Sequence, residues 1–422
     1  MRASTSWHAL MLAAAALAAG PALAAGEAGG ELRLRWDQRS ANTQGPLAAA
    51  NALAPGIAPA APGAAVAEAE LRGRWKALSA NVLLGAERRE GGGTSSTSRI
   101  NELHASGDFG AWQVSAGKKI VGWDVGYGFR PNDVVQQEAR RTLLSLTQEG
   151  RPLVQLEHFG AETAASLVWV NPQRLRDSDD AQRFAGESAL AARWYARAGA
   201  ADWHLFGRAG QHTGASAGAA LAWVASESLE LHGSARLLQR HDAWRFDAAA
   251  GTAPVMRNPW QVATQGGTSQ GLVGANWTGA HQQSVIAEWW HDGTAPSDAD
   301  WDGWRARNVA LSSLGARSAL PAALRTGIAG NLAWQASPFD GGSMRRDNLF
   351  VRIAWQPDHW QLTLDALVTP ADRGHVVTAG VQWQGDRVRV NAAWRVYGGP
   401  GDSVFAQLPQ RRSGVVAATW AF

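Results

Sequence analysis

Eight arginines fall at even spacings in three stretches: Arg33, Arg35 and Arg39; Arg72 and Arg74; and Arg387, Arg389 and Arg395. A guanidinium keeps its charge at every physiological pH and offers five donors in a planar fork. Rows of them on one face would hold anions by charge and by paired hydrogen bonds. Asp37, Glu68 and Glu70 share the parity of their neighbouring arginines. The same rows therefore also read as ion pairs that stiffen a wall, and a transverse field between opposed charges satisfies both readings. A second cluster lies in one segment after Trp123: Asp124, Arg130, Asp133, Glu138, Arg140 and Arg141. Catalytic chemistry is poorly served. Gly214-Ala215-Ser216-Ala217-Gly218 matches a nucleophile-elbow pattern literally, but it sits in an alternating segment without the strand-turn-helix bend that exposes such a serine. His204 and His232 lie near Asp202 and Glu230 in sequence, with no nucleophile assigned to them. His291, Asp292, Asp298, Asp300 and Asp302 read as a solvated loop rather than a metal site, and there is no cysteine. The expectation is a protein that is not an enzyme, with no metal and no cofactor.

The elements that carry these residues repeat with period two. In Glu31-Leu32-Arg33-Leu34-Arg35-Trp36-Asp37 the apolar residues take one face and the charged residues the other. Eighteen such segments are expected, at 30–40, 66–77, 80–89, 99–109, 112–122, 151–159, 163–171, 186–197, 201–210, 215–224, 228–238, 270–278, 282–292, 347–356, 359–369, 374–384, 387–398 and 412–422. Every second connection is short, as at Gly110-Ala111 and Pro357-Asp358. The others are mostly long, at 41–65, 90–98, 123–150, 172–185, 239–269, 293–346 and 399–411, although those near 211–214 and 370–373 are short. Strictly alternating short turns and long loops belong to an up-and-down barrel that crosses a membrane, with an even strand number and both termini on the short-turn side.

Composition agrees. The chain has 22 Trp and 47 Gly, and its mean hydropathy is −0.22, too polar for a bundle of membrane helices. Arginine on a lipid-facing strand position costs about 2–4 kcal/mol at the midplane, so the charged face must line a watery interior. Trp75, Trp112, Trp203, Trp223, Trp277, Trp355, Trp360, Trp383 and Trp420 fall on the apolar face near the short turns, as one aromatic girdle; Trp36 and Trp169 fall toward the other end. Residues 1–24 read as a signal peptide: Arg2, an apolar stretch from Ala9, then Ala22-Leu23-Ala24 as the cleavage site. Residues 25–422 form one expected barrel domain. Formal charge is only +3 and no long basic run suggests nucleic acid. Val309 to Leu324 is expected to form a short helix ending near Gly327-Ile328, inside a long loop that folds over or into the mouth.

Val416, Ala418, Trp420 and Phe422 share one face at the end of the chain. With the alternation and the signal, the chain resembles the outer-membrane porins of Gram-negative bacteria. Among these it is most similar to the 18-stranded kind that includes alginate-export and substrate-specific channels. The resemblance implies that the 123–150 loop bends inward and narrows the lumen, which makes Asp124, Arg130, Asp133, Glu138, Arg140 and Arg141 constriction candidates. It implies membrane lipid, lipopolysaccharide and the barrel-assembly machinery as partners, and a small polar solute as cargo. Barrels of this kind occur as monomers and as homotrimers. The expected function is passive diffusion or export of small polar, anionic solutes. The alternative is a barrel plugged by its own loops that displays them to a partner.

Overall fold

The computed structural model describes residues 26–58, 63–136, 148–171, 186–340 and 342–422. The signal peptide, Glu138, Arg140 and Arg141 lie outside these residues. Eighteen antiparallel strands form one sheet. They are β1 (Gly26–Ala41), β2 (Ala64–Trp75), β3 (Leu78–Arg89), β4 (Thr94–Phe109), β5 (Trp112–Lys119), β6 (Arg151–Phe159), β7 (Thr163–Val170), β8 (Ala189–Ala198), β9 (Ala201–Gly210), β10 (Gly214–Ser226) and β11 (Leu229–Leu238), then β14 (Thr268–Thr278), β15 (Gln283–Asp292), β16 (Asp347–Trp355), β17 (Trp360–Thr369), β18 (Gly374–Gln384), β19 (Val388–Gly398) and β20 (Gln410–Ala421). β12 (His241–Phe246) and β13 (Trp260–Gln265) form a separate hairpin inside one outside loop. The sheet closes where β1 pairs with β20, from Glu31 opposite Ala421 to Arg39 opposite Ser413. Closure gives every barrel strand a hydrogen-bonded neighbour on each side, as a lipid environment demands of a spanning sheet.

Alternation sorts the two faces as expected. Leu34, Trp36, Leu167, Trp169, Leu362 and Leu364 are exposed to the outside. Their neighbours Arg33, Arg35, Ser166, Val168, Thr363 and Asp365 face the lumen and are more covered. The short-turn girdle is exposed on the outer face at Trp75, Trp112, Trp203, Trp223, Trp277, Trp355, Trp360 and Trp420. Among the described residues no helix is long and apolar enough to cross a membrane; the crossing is made by strands.

The outside loops build a cap. Among the described residues its helices are α1 (Pro46–Leu53), α2 (Asp298–Gly315) and α3 (Ala322–Trp334). The single helix expected over 309–324 is therefore two helices with a break between them. Pro321 has no N–H to donate and disfavours helical geometry at the residue before it, so it starts α3 instead of continuing α2. α2 begins earlier, at a capping box in which the Ser297 hydroxyl accepts from the Asp300 N–H and the Asp300 carboxylate accepts from the Ser297 N–H. Ala50, Leu311, Ile328 and Leu332 make a small core where the three helices meet. Trp260, Trp301, Trp304, Met344, Val404 and Phe405 make a second one, with partly buried Leu367 and Tyr397 and buried Val376 from the inner faces of β17, β19 and β18. The long loop thus packs onto the inside of the wall at the mouth.

Candidate functional site

Two surfaces face each other across the lumen. One is the wall from β6 to β16, covered by the segment that follows β5. Val121, Trp123, Val134 and Val135 of that segment bury themselves against Leu153, Val168, Val170, Ala191, Phe206 and Ala220, all on the lumen side of β6 to β10. These apolar lumen residues would be out of place on a wet wall; the loop is what keeps them dry. Polar anchors fix its position. The Glu288 carboxylate accepts from the N–H of Tyr127 at 2.7 Å and of Gly128 at 2.6 Å, and also contacts His232 Nε2 at 2.9 Å. Arg236 donates to the Pro131 carbonyl at 3.0 Å and Arg208 to the Val134 carbonyl at 2.9 Å. Asn132 reaches through to Ser234 Oγ at 2.8 Å and the Ala235 carbonyl at 3.0 Å. Gly218 leaves the hole that Asn132 fills, since a Cβ there would lie 1.9 Å from Asn132 Oδ1. Aromatic rings complete the seat: Tyr127 stacks on Phe350 with centroids 5.9 Å apart, and Phe129 on Trp290 at 5.7 Å.

Asp124 and Asp133 point into the loop rather than into the passage. Asp124 accepts from the N–H of Asn132 at 2.6 Å, the N–H of Val125 at 2.9 Å and the Ser234 hydroxyl at 2.7 Å. Asp133 accepts from the N–H of Trp123 at 2.8 Å and of Asp124 at 3.1 Å. Burial pushes both carboxyls above the ordinary aspartate range, against the N–H donors that favour the charged form. Arg130 also folds back, donating to the Gly126 carbonyl at 2.8 Å and lying 3.7 Å from Asp133. These three residues hold the loop's shape.

The opposite surface is the wall made by β19, β20, β1 and β2. Strand register puts Arg389, Thr419, Arg33 and Glu68 in one row across it. Arg33 lies 3.4 Å from Glu68 and 3.7 Å from Glu31; Arg35 lies 3.1 Å from Asp37. Arg72 lies 2.8 Å from Glu70, and Arg389 lies 3.4 Å from Glu31. Arg395 donates to Thr378 Oγ at 2.9 Å. Arg39, Arg74 and Arg387 are exposed and make no ion pair among the described residues. Arg387 is placed in the turn before β19, not in the strand, because the β18–β19 turn runs one residue longer than the alternation suggested; its carbonyl accepts from Ala421 N–H at 2.8 Å. Seven of the eight arginines are thus gathered on the neighbouring strands β19, β1 and β2, with Arg387 in the turn that leads into β19.

The sequence reading missed the anchors Arg208, Arg236 and Glu288 as a set. Each was visible as a charge on the polar face of its strand, but nothing local tells an anchor from a solvated lining residue. The elbow-like serine, Ser216, lies in regular β10 and accepts from Arg236. Among the described residues no three His, Cys, Asp or Glu side chains gather in a metal-binding group.

No protein-family model matches the sequence, and no curated protein matches it significantly. Solved structures do match. OccK5 (OpdH) of Pseudomonas aeruginosa superposes with a TM-score of 0.53 at 10% identity, covering 96% of this chain and 99% of that one. OccAB2 of Acinetobacter baumannii gives 0.54 at 7% identity over 96% and 99%, and OccAB1 of the same organism 0.53 at 9% over 94% and 96%. At this identity the likeness is one of fold, and the fold of this chain is that of an 18-stranded outer-membrane porin.

Proposed function

We propose that the protein is a passive outer-membrane channel for small polar solutes with a preference for anions, exported by residues 1–24 and folded as one barrel over 25–422. The observation that carries the preference is the asymmetry of the lumen. The loop turns Asp124 and Asp133 into its own backbone, while the facing wall keeps its arginines toward the passage. On β19, β20, β1 and β2 the inward arginines outnumber the carboxylates, so the ion pairs leave net positive charge. Low-dielectric walls concentrate that field on the water between them.

The test is single-channel recording of the refolded protein in a planar bilayer under a potassium chloride gradient. The expected reversal potential lies on the anion side. The double variant Arg389→Gln/Arg395→Gln should move it toward zero with the conductance retained. A cation-side potential from the parent protein overturns the anion preference. The cap packed inside the mouth favours a second reading, a closed barrel that displays its loops to a partner. Absence of conductance from folded protein selects that reading.

A further inference from the structure

The outer face carries a groove of about 420 Å³ where β18, β19, β20 and β1 meet. Trp36 and Trp394 are among its lining residues, with Ala379, Val381, Ala392 and Val416. Gly414 opposes Trp394 across the β19–β20 pair, and a Cβ there would lie 2.6 Å from the Trp394 ring. The indole thus lies over backbone and leaves the neighbouring alanines uncovered. All these side chains take the lipid-facing parity, and the groove runs from the middle of β18 and β19 toward the long-loop ends of β20 and β1. Two residues above Gly414, on the same face of β20, stands the exposed Arg412, opposite Ser40 of β1 and Val396 of β19. His375 lies at the same rim on β18, its ring against Gly398.

The geometry points to a lipid site: one acyl chain of an outer-leaflet phosphorylated glycolipid lies in the Trp36–Trp394 groove, and its phosphate is held by Arg412. The groove faces hydrocarbon, so its occupant is apolar along its length. The occupant is anionic at the top, because Arg412 extends to the headgroup level and a guanidinium matches a phosphate bidentately. The loop end of the barrel selects the outer leaflet.

Native mass spectrometry of the refolded, detergent-solubilised barrel tests this, with hexa-acylated bisphosphorylated lipid A and, separately, dimyristoylphosphatidylcholine as probes. One tightly held lipid A per barrel is expected. Ala392→Phe, which fills the groove, should abolish it, and Ala379→Phe on the next strand is the second variant should the first fail to fold. Arg412→Gln should weaken lipid A by about tenfold and phosphatidylcholine, whose single phosphate is offset by its choline, by much less. Three results overturn the site: lipid A retention unaffected by both groove variants, equal loss of both lipids in Arg412→Gln, or a dimer or trimer that covers the groove and that Ala392→Phe dissolves.

Discussion

The two sides of the lumen use arginine in opposite ways. On the β6–β16 side Arg208 is sealed, its side chain 1% exposed, and it bonds Glu187 at 2.7 Å and the Val134 carbonyl. On the β19–β2 side Arg72 holds Glu70 at 2.8 Å but is 55% exposed. The chemistry of the pair is the same; the surroundings differ because a loop covers one wall and water covers the other. A charge taken out of water must have every partner in place, whereas a charge left in water is screened and its pair contributes little. The first wall is structural and the second is electrostatic.

Breaking the comparison at its extremes gives the largest expected effect. Arg208→Met takes the cationic partner from the buried Glu187, which keeps only the His212 and Thr213 donors among the described residues, and should cost about 3–5 kcal/mol, whereas Arg72→Gln should cost less than about 1 kcal/mol; urea unfolding midpoints of the two variants measure the difference. Equal losses would mean that the loop does not exclude water from Arg208. Next comes Asp124→Ala, which leaves the Asn132 and Val125 N–H groups and the Ser234 hydroxyl short of an acceptor. Each buried group left unsatisfied costs about 1–3 kcal/mol. The loop should leave its seat, and single-channel currents should become larger and noisier, with fresh protease cleavage between 121 and 136. The smallest effect is that of pH. A docked loop holds protons on Asp124 and Asp133 more tightly than a released one, since burial raises both pKa values. Their contribution to docking is complete below the pKa of the released loop and is lost as pH rises through the raised, docked value. Current flicker should therefore decrease as the solution is acidified through that window, and Asp124→Asn should remove part of the dependence. Flicker that grows with acid would place the ionised form as the better anchor.

The barrel itself was legible because lipid outside and water inside impose period two on every strand. All eighteen expected segments correspond to strands of the closed sheet, with ends shifted by a few residues, as at Arg387. The cap was less legible. The β12–β13 hairpin and α1 went unmarked, since Trp244, Phe246 and Trp260 pack against α2 rather than against lipid and carry no membrane periodicity. Ser297 and Pro321 were the local signals that set the boundaries of α2 and α3. For Asp124 the residue type suggested a solute contact. Its actual partner, Ser234, is more than a hundred positions away, and only the closed barrel brings it near.

The seam between β1 and β20 also sets an order in time. Every other neighbouring pair of barrel strands is adjacent in chain order, apart from the hairpin set between β11 and β14, joined either by a tight turn or by one of the long outside loops. This pairing alone joins segments separated by nearly the whole sequence, so it carries the greatest loop-closure cost and forms last. Until then both strands offer bare backbone to any neighbour. Until the seam closes, two edges must therefore be kept from other strands at once, and both disappear in the same step.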